Sequence, residues 1–401
     1  MTRTRALFCD LLGLPKGKYI PSDLAKSGDI GFAACALSVS FDRDLLNIPG
    51  TGLFEGIPDM KLSLSKDRYK SWQENTEIAL GDLKFNGQDY ELCSRSNLKK
   101  IIEEYNKIDL NPMVGLEFEA YVFEQDEDGI WMPYNTPGAF VYGTGPSNDP
   151  KNLMGEIWKK ASEMDLPVES INGEYDNGQF ELTLGFDEAL KACDNAFLFK
   201  TMAKEIAMQK GLMLSFMPKP IPERGGSGLH VNFSFLDKSK INVIENNGKL
   251  SEIANNCISG LLHHHEGLAA LLASTVNSYD RLQPASMAGY WANWAGDHRM
   301  VTIRTSTSSS NSARIEHRTA DGAGNPYIVT SSVLTASLLG IKNKYKLPKA
   351  EDLDGMENVR ATKHVPSSLS KALTALENDT ILKSEIGEKF SNAFIEIKKD
   401  E

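Results

Sequence analysis

Residues 114–125, VGLEFEAYVFEQ, decide the fold of this 401-residue chain, because this stretch predicts a β-strand that carries charge. The stretch is rich in β-branched and aromatic residues, which favour strands. Side chains alternate between the two faces of a strand, so Glu117 and Glu119 lie on the same face. Two neighbouring carboxylates repel each other unless a positive group lies between them. Because apolar residues flank the pair, we interpret it as part of a metal or ligand site rather than a solvated edge.

Two further segments place polar residues beside tight turns. In GEYDNGQFEL (173–182), Glu174 and Glu181 flank a turn rich in Asp, Asn and Gly, which can bring both carboxylates to one point. Taken alone, this segment is more typical of an ordinary acidic turn. In GGSGLHVNFS (225–234), the glycines allow a ligand to approach the backbone, and His230 follows in a predicted strand. Taken alone, His230 is more typical of a hydrogen-bonded core residue.

Arginines with few acidic neighbours form another group. The stretch ARIEHR (313–318) predicts a strand that carries Arg314, Glu316 and Arg318 on one face. The group also contains three earlier arginines, Arg281, Arg299 and Arg304. Arginine binds phosphate and carboxylate groups well, so these residues predict a polyanionic ligand.

Together, the segments supply five carboxylates, one imidazole and five arginines. Hard oxygen ligands with a single His favour Mg²⁺ or Mn²⁺, and arginines favour phosphate. The combination predicts phosphoryl transfer from a metal-bound nucleotide. Neither G-x-x-x-x-G-K-[ST] nor a strand-linked G-x-G-x-x-G occurs, so a nucleotide is expected to bind without those two loops.

Charge and composition exclude several other classes of protein. The net charge of −11 argues against nonspecific nucleic-acid binding, which needs a basic surface. Five scattered cysteines without a C-x-x-C pattern predict reduced thiols. The sequence contains no run of about 18 apolar residues, so a membrane span is not predicted. The N-terminal segment lacks the apolar region of a secretion signal. We therefore expect a cytoplasmic protein without membrane or nucleic-acid partners.

The chain is predicted to divide near residue 93. Residues 1–93 contain short apolar runs and many turn residues, which indicate a small β-rich domain, and residues 94–401 are predicted to be α+β. The second region begins with a helix for which Ser94 or Ser96 is the expected N-cap. Its other predicted strands are 228–237, 301–306 and 313–320, and its other predicted helices are 186–211, 251–274, 325–344 and a helical C-terminal tail.

The run HHHE (263–266) is tempting as a metal site. Consecutive residues of a helix point about 100° apart, so three in a row cannot converge on one ion. We therefore expect the run to lie on a solvent-facing helix surface.

The ordered set of motifs resembles the glutamine synthetase family over nearly the whole chain. The resemblance rests on the order of the pieces rather than on any one of them. They are E-x-E at 117–119, G-E-x-x-x-G-Q-x-E at 173–181, MPKP at 217–220, GSGLH at 226–230, NSYxRL at 277–282, DHR followed by Arg304, R-I-E-x-R at 314–318 and NPY at 325–327.

The resemblance implies a β-grasp-like N-terminal domain (1–93) and a catalytic domain (94–401) whose antiparallel strands form a funnel-shaped active site. It implies a ligase in which ATP phosphorylates the γ-carboxylate of glutamate, after which ammonia or an amine displaces the phosphate. It also implies homo-oligomers, usually two stacked hexameric rings, with active sites shared between neighbouring subunits.

The resemblance also implies roles at the matched positions, including two or three Mg²⁺ or Mn²⁺ ions in each active site. One metal site would be formed by Glu119, Glu174 and Glu181, and another by Glu117, His230 and Glu316. Glutamate would be held by Arg281, Arg318 and the backbone of Gly226. ATP would be held by Arg304, Arg314 and Ser234, and the catalytic arginines would be Arg299 and Arg304.

Two segments depart from the ammonia-using members, which carry an acid of the ammonium site in each. IGFAACAL has Ala33 and Ala34 where an Asp is expected, and RLQPASMAG has Ser286 and Met287 where a Glu is expected. Without these carboxylates a small cation loses electrostatic stabilisation and a proton acceptor. Alanine and methionine leave apolar room for an alkyl-amine instead.

We therefore interpret the chain as resembling the γ-glutamylpolyamine and γ-glutamylmethylamide synthetase branches, which form γ-glutamyl amides. One alternative is a true glutamine synthetase whose ammonium site uses other residues. Another is a catalytically silent ring protein that senses nucleotide or glutamine. The metal ligands and phosphate arginines are present at every matched position, which argues against the silent protein.

Overall fold

A computed structural model describes residues 3–26 and 28–401, and its first seven strands form one sheet. Residues 1, 2 and 27 of the predicted N-terminal domain lie outside the described residues. The strands are β1 (Arg3–Cys9), β2 (Pro15–Pro21), β3 (Asp29–Ala33), β4 (Asp59–Leu64), β5 (Tyr69–Lys70), β6 (Thr76–Phe85) and β7 (Gln88–Asp89). Their order is β2-β1-β6-β4-β3, with β5 and β7 also paired to β6. The β-rich first region is confirmed, and its boundary at residue 93 stays a prediction.

A second sheet of ten strands contains most of the predicted site residues. Its central order is β10-β11-β8-β14-β19-β18-β17, and β9, β12 and β13 also pair with β8. Among the described strands of this second sheet, the β17–β18 pair is parallel and the other pairs are antiparallel. The strands are β8 (Asn111–Gln125), β9 (Trp131–Pro133), β10 (Val168–Gly173), β11 (Gln179–Leu184), β12 (Asp187–Glu188), β13 (Leu212–Ser215), β14 (Leu229–Leu236), β17 (Trp294–Gly296), β18 (Ile303–Ser306) and β19 (Arg314–His317). A separate hairpin pairs β15 (Glu245–Asn246) with β16 (Lys249–Leu250).

Strand β8 confirms the alternation predicted from its sequence. Leu116, Phe118 and Ala120 are buried, whereas Glu117 and Glu119 between them are partly exposed. The apolar residues face the protein core because burying them is favourable. The two carboxylates therefore point to the opposite face of the sheet.

Helices occur from the first sheet to the C-terminus, and several of them pack against the second sheet. They are α1 (Ser22–Ala25), α2 (Ser94–Asn106), α3 (Leu153–Glu163), α4 (Ala189–Gln209), α5 (Glu252–His263), α6 (His265–Leu272), α7 (Ser278–Arg281), α8 (Pro326–Asn343), α9 (Leu369–Asn378), α10 (Thr380–Ile386) and α11 (Glu388–Lys399), with a 3-10 helix at Ala34–Ser38. Helix α8 is almost entirely buried, and Asn325 caps it by accepting hydrogen bonds from the N–H groups of Tyr327 and Ile328. Across residues 3–26 and 28–401, no helix has both the length and the apolar character needed to cross a membrane.

The structure corrects three local predictions. Cys93, not Ser94 or Ser96, is the N-cap of α2. The single helix expected over 251–274 is interrupted at His264, where α5 ends and α6 begins. The solvent-facing position of HHHE is wrong for His264 and His265, which are buried.

Tertiary contacts explain why the histidine run is not on the surface. Nδ1 of His264 lies 2.7 Å from Oδ2 of Asp379, and Nε2 of His265 lies 3.1 Å from the carbonyl oxygen of Tyr290. These partners come from distant parts of the chain, so helix periodicity alone did not indicate them.

Candidate active site

Three neighbouring strands bring four of the predicted ligands to one face of the second sheet. Glu119 on β8 lies opposite Glu181 on β11, and Glu117 lies opposite His230 on β14. Side chains at such opposed positions are close enough to interact directly. Oε1 of Glu117 is 2.8 Å from Nδ1 of His230, and Oε1 of Glu119 is 3.8 Å from Nε2 of the same ring.

The remaining two carboxylates reach the same region from other elements. Glu174 follows β10 in a tight turn, and its backbone N–H donates a hydrogen bond to the carbonyl oxygen of Gln179 at 2.9 Å. Glu316 lies on β19, and its Oε1 is 3.9 Å from Nδ1 of His230. All six residues predicted as metal ligands therefore gather around the strands at the centre of the sheet.

Five acids form the carboxylate cluster (Glu117, Glu119, Glu174, Glu181 and Glu316), in which burial and neighbouring charges shift several pKa values. Burial, together with the charges of Glu117 and Glu174, raises the pKa of Glu181 above its usual value. Burial also raises the pKa of Glu174, with the charge of Glu119 as a further cause. At Glu117 burial acts in the same direction, but interaction with His230 outweighs it and lowers the pKa. Acids that hold their protons beside ionised acids indicate a region where a cation is stabilised.

The chemistry of these donors fits a hard divalent cation. Carboxylate oxygens with one imidazole are ligands that Mg²⁺ and Mn²⁺ accept. Within the described part of the chain, no three His, Cys, Asp or Glu side chains already form a group that could hold a metal ion. Side-chain rotation would have to complete the coordination, and the division into separate metal sites stays a prediction.

Arginines pair with Glu316 on both sides. Nη1 of Arg304 donates to Oε2 of Glu316 at 3.0 Å, and Arg318 donates to its Oε1. Arg304 also pairs with the exposed Asp297 at 2.6 Å. Glu316 therefore lies between the guanidinium groups of Arg304 and Arg318 and beside His230.

Arg281 is buried next to the glycine segment. Its Nη1 and Nη2 atoms donate to the carbonyl oxygens of Thr319 at 2.9 Å and Arg318 at 3.3 Å. A Cβ atom on Gly226 would lie 2.7 Å from Cγ of Arg281, and one on Gly228 would lie 2.8 Å from its Nη2. These two positions require glycine because the arginine passes directly beside the backbone.

A cleft of about 440 Å³ joins the carboxylates to the remaining arginines. This volume is in the range of small-molecule sites. Predicted site residues that line the cleft are Glu117, Glu181, Glu316, Arg299, Arg304, Arg314 and Ser234. Nε of Arg314 donates to Oδ1 of Asn232 at 3.1 Å, which fixes the guanidinium at the cleft wall. We call this space the arginine cleft.

Sequence reasoning missed two aromatic residues of the arginine cleft, Tyr142 and Phe186. The Phe186 side chain is 70% exposed, and its Cβ would lie 3.5 Å from a Cβ on Gly115. For Phe186, the available signal was an aromatic residue two positions after the strand that carries Glu181. Exposed aromatic rings at the rim of a pocket offer flat surfaces for ligands.

The residues proposed to choose the amine lie in two separate places. Ala33 ends β3 and Ala34 begins the 3-10 helix, whereas Ser286 and Met287 lie in an exposed turn after α7. Ser286 and Met287 line a small cavity to which neither Ala33 nor Ala34 contributes.

Comparisons with known proteins give the family. Residues 91–401 match the family described as glutamine synthetase, catalytic domain. The chain is 33% identical to a glutamine synthetase of Pyrococcus abyssi, over 98% of this chain and 89% of that protein. It is 34% identical to a glutamate–isopropylamine ligase of a Pseudomonas species, over 74% of this chain and 67% of that protein.

A solved structure gives the same result. The fold superposes on GmaS in complex with ADP with a TM-score of 0.87 and 26% identity, over 100% of this chain and 93% of that one. Three findings point to the same family: the matches in sequence, the fold, and the grouping of carboxylates, histidine and arginines. The chain therefore belongs to the glutamine synthetase family, and it is an ATP-dependent carbon–nitrogen ligase.

Proposed function

We propose that the protein joins glutamate to an organic amine through a γ-glutamyl phosphate formed with ATP. The observation that carries this proposal is the turn from Arg281 to Gly289, which contains no carboxylate at the position where ammonia-using members have one. Ser286 and Met287 occupy that turn with exposed side chains. Similarity to proteins named glutamate–isopropylamine ligase and GmaS supports the same choice of acceptor.

Two groups of arginines divide the anionic substrates between them. Arg281 and Arg318, with the backbone of Gly226, are proposed to hold the carboxylates of glutamate. Arg299, Arg304 and Arg314 are proposed to hold the phosphates of ATP, with Ser234 on the nucleoside side. Guanidinium groups fixed by hydrogen bonds stabilise developing negative charge without having to reorganise during the reaction.

The carboxylates and His230 are proposed to hold two or three Mg²⁺ or Mn²⁺ ions. When bound, such ions neutralise the phosphates and make phosphorus easier to attack. The first set of ligands is Glu119, Glu174 and Glu181, and the second is Glu117, His230 and Glu316. Burial and neighbouring carboxylate charges raise the pKa values of Glu174 and Glu181, and this crowding of acids supports a cationic occupant.

The chemistry proceeds in two displacements. A γ-carboxylate oxygen of glutamate attacks the terminal phosphorus of ATP, and ADP leaves. The amine nitrogen then attacks the γ-carbonyl carbon, the carbon–oxygen bond to phosphate breaks, and the nitrogen loses a proton. Buried arginines keep both carboxylates oriented, which favours attack by a fixed partner.

The deciding experiment is an assay of phosphate release with glutamate, ATP and Mg²⁺. Ammonia is compared with a panel of primary amines, including methylamine, isopropylamine and a polyamine. We expect at least one amine to exceed ammonia in kcat/KM by about tenfold or more, a difference of about 1.4 kcal/mol. If ammonia exceeds every amine, the protein is a true glutamine synthetase, as similarity to the Pyrococcus abyssi protein would then indicate.

A matched pair of variants tests the role of the acid-free turn. Ser286→Glu restores a carboxylate, and Ser286→Gln has nearly the same size without the charge. We expect only Ser286→Glu to raise kcat/KM for ammonia, because an acid stabilises ammonium and accepts its proton. An equal change in both variants, or a fall in both, would show that this turn does not select the acceptor.

Phe186 is proposed as a stacking surface for the adenine ring of ATP. Base–aromatic stacking contributes about 1–3 kcal/mol, so Phe186→Ala is expected to raise KM for ATP about tenfold. Phe140→Ala is the control, because Phe140 is 76% exposed and does not line the arginine cleft. Equal KM values in the two variants would place the adenine elsewhere.

We further propose that the chain assembles into stacked hexameric rings. The cavity lined by Ser286 and Met287 does not include Ala33 or Ala34, and in the proposed ring a neighbouring subunit brings the two segments together. Mass photometry measures the number of 44.2 kDa chains in each particle. A monomer that retains full ligase activity would contradict the shared active site.

A further inference from the structure

A second cavity of about 420 Å³ lies between α3 and β10. No residue lines both this cavity and the arginine cleft. The loop 140–148 separates them, since Tyr142 faces the arginine cleft and Gly143 faces the second cavity. The second space is therefore distinct from the proposed nucleotide site. We call it the α3 cavity.

The wall between the two spaces is held by backbone hydrogen bonds. The N–H of Tyr142 donates to the carbonyl oxygen of Gly173 at 2.8 Å, and the N–H of Gly173 donates to that of Gly143 at 2.9 Å. The buried Asn148 accepts from the N–H of Phe140 at 3.3 Å and donates to the carbonyl oxygen of Thr144 at 3.2 Å. A cavity with such a wall is formed before any ligand binds, which lowers the cost of binding.

The described lining of the α3 cavity contains one charged side chain, and its oxygens already accept hydrogen bonds from the chain. Among the described lining residues none is Lys, Arg, His or Glu, and the one acid is Asp149. Its oxygens accept hydrogen bonds from the N–H groups of Leu153 and Met154 at 2.9 and 2.7 Å and from the hydroxyl of Tyr134 at 3.1 Å. An anion placed here would lose its hydration without gaining a counter-charge, and a cation would meet Asp149 oxygens that already accept three hydrogen bonds.

Two lining groups remain available to a ligand. Within residues 3–26 and 28–401, the side-chain amide of Asn152 has no hydrogen-bond partner in the protein, and it folds over Gly155, where a Cβ would lie 2.2 Å from Oδ1. The indole of Trp158 is 43% exposed at the cavity. An amide pairs with another amide through two hydrogen bonds, and an indole packs on a flat ring.

We propose that the α3 cavity binds an uncharged, planar heteroaromatic carboxamide. The ring lies against Trp158, and the carboxamide pairs with Asn152. This site is separate from the proposed ligase chemistry, and its occupancy does not depend on turnover.

Nicotinamide is the probe, and ligand-observed NMR titration of the full chain measures its binding. We expect a Kd on the order of 1 mM, typical for so small a ligand. Nicotinate has the same ring with a carboxylate and should bind at least about tenfold more weakly. Trp158→Ala should weaken nicotinamide binding about fivefold or more. Trp131→Ala is the matched control, because Trp131 is also 43% exposed and does not line the cavity.

Each contrary result overturns the proposal. Absence of nicotinamide binding at 10 mM (about ten times the expected Kd), equal binding of nicotinate, or equal losses in the two tryptophan variants would do so. Competition by ADP, or loss of binding in Phe186→Ala, would place the probe in the arginine cleft instead. If Trp158→Ala does not fold, the exposed Asn152→Ala substitution serves in its place, with the same expected weakening.

Discussion

Two clusters of buried charge differ in how they are balanced. In the first, Arg95 donates to both oxygens of Asp194 at 2.9 Å and to Asp82 at 2.7 Å, and the hydroxyls of Tyr69 and Tyr327 also donate to Asp194. The second is the carboxylate cluster, whose acids exceed the imidazole and arginines that they contact. The first cluster is completed by its own chain, whereas the second is proposed to be stabilised further by a cation. Under the proposed function, this difference separates a structural polar network from a catalytic one.

The largest expected effect is a loss of folding stability in the first cluster, around Arg95 and Asp194. Asp194→Ala leaves Arg95 buried without its main partner, and removing one member of a buried pair costs about 3–5 kcal/mol. We expect the free energy of unfolding in urea to fall by this amount. Asp82→Ala is the control, because Asp82 is more exposed and should cost less. A loss below about 1 kcal/mol for Asp194→Ala would contradict the structural role.

The buried His265 gives a pH-dependent effect of similar size. Burial lowers its pKa to about 4. Below pH 6.5 the unfolded chain gains a proton at this residue and the folded chain does not, so stability is lost as the pH falls towards 4. The loss is on the order of 3 kcal/mol. Thermal unfolding from pH 7 to 4 should therefore be less pH-dependent in His265→Gln than in the wild type, and parallel curves would contradict this assignment.

In the carboxylate cluster, Glu316→Gln should affect turnover rather than folding. The substitution removes a proposed metal ligand and weakens the pairing with Arg304 and Arg318. We expect phosphate release to fall about 100-fold or more, equivalent to about 2.7 kcal/mol. Glu245→Gln, outside the lining of the arginine cleft, is the control. Unchanged turnover in Glu316→Gln would remove Glu316 from the metal site.

The smallest effect distinguishes the two clusters by its sign. Glu181→Gln relieves repulsion, so we expect the metal-free protein to gain up to about 1 kcal/mol of stability. The same variant should be stabilised less than the wild type when Mg²⁺ is added. Thermal unfolding with EDTA and with Mg²⁺ measures both changes. A variant less stable than the wild type in EDTA would show that these carboxylates are balanced without a cation.

Features set by local pattern were predicted well. The alternation in VGLEFEAYVFEQ gives the face of Glu117 and Glu119, and the observed strand extends it only at the N-terminal end, to Asn111. Helix α4 ends before Gly211, which adopts a positive φ of 68°. Such features depend on residues that are close in sequence, so the amino-acid sequence alone is enough to predict them.

Features set by distant partners were not predictable in the same way. The burial of His264 depends on Asp379, which is more than a hundred residues away. Pairing of Glu316 with Arg304 depends on the register of β19 against β18, and the position of Phe186 depends on how the strand end meets the arginine cleft. Periodicity contains no information about these contacts.

The position of β8 at the centre of the sheet has a consequence for evolutionary change. β11 and β14 flank it, and insertion of one residue into it would turn Glu117 and Glu119 towards the core. Phosphoryl chemistry is thus tied to strands that tolerate little variation. Ser286 and Met287 lie in an exposed turn, where substitutions leave those strands undisturbed. Under the proposed function, acceptor preference can therefore diverge among related ligases while the activation of glutamate stays the same.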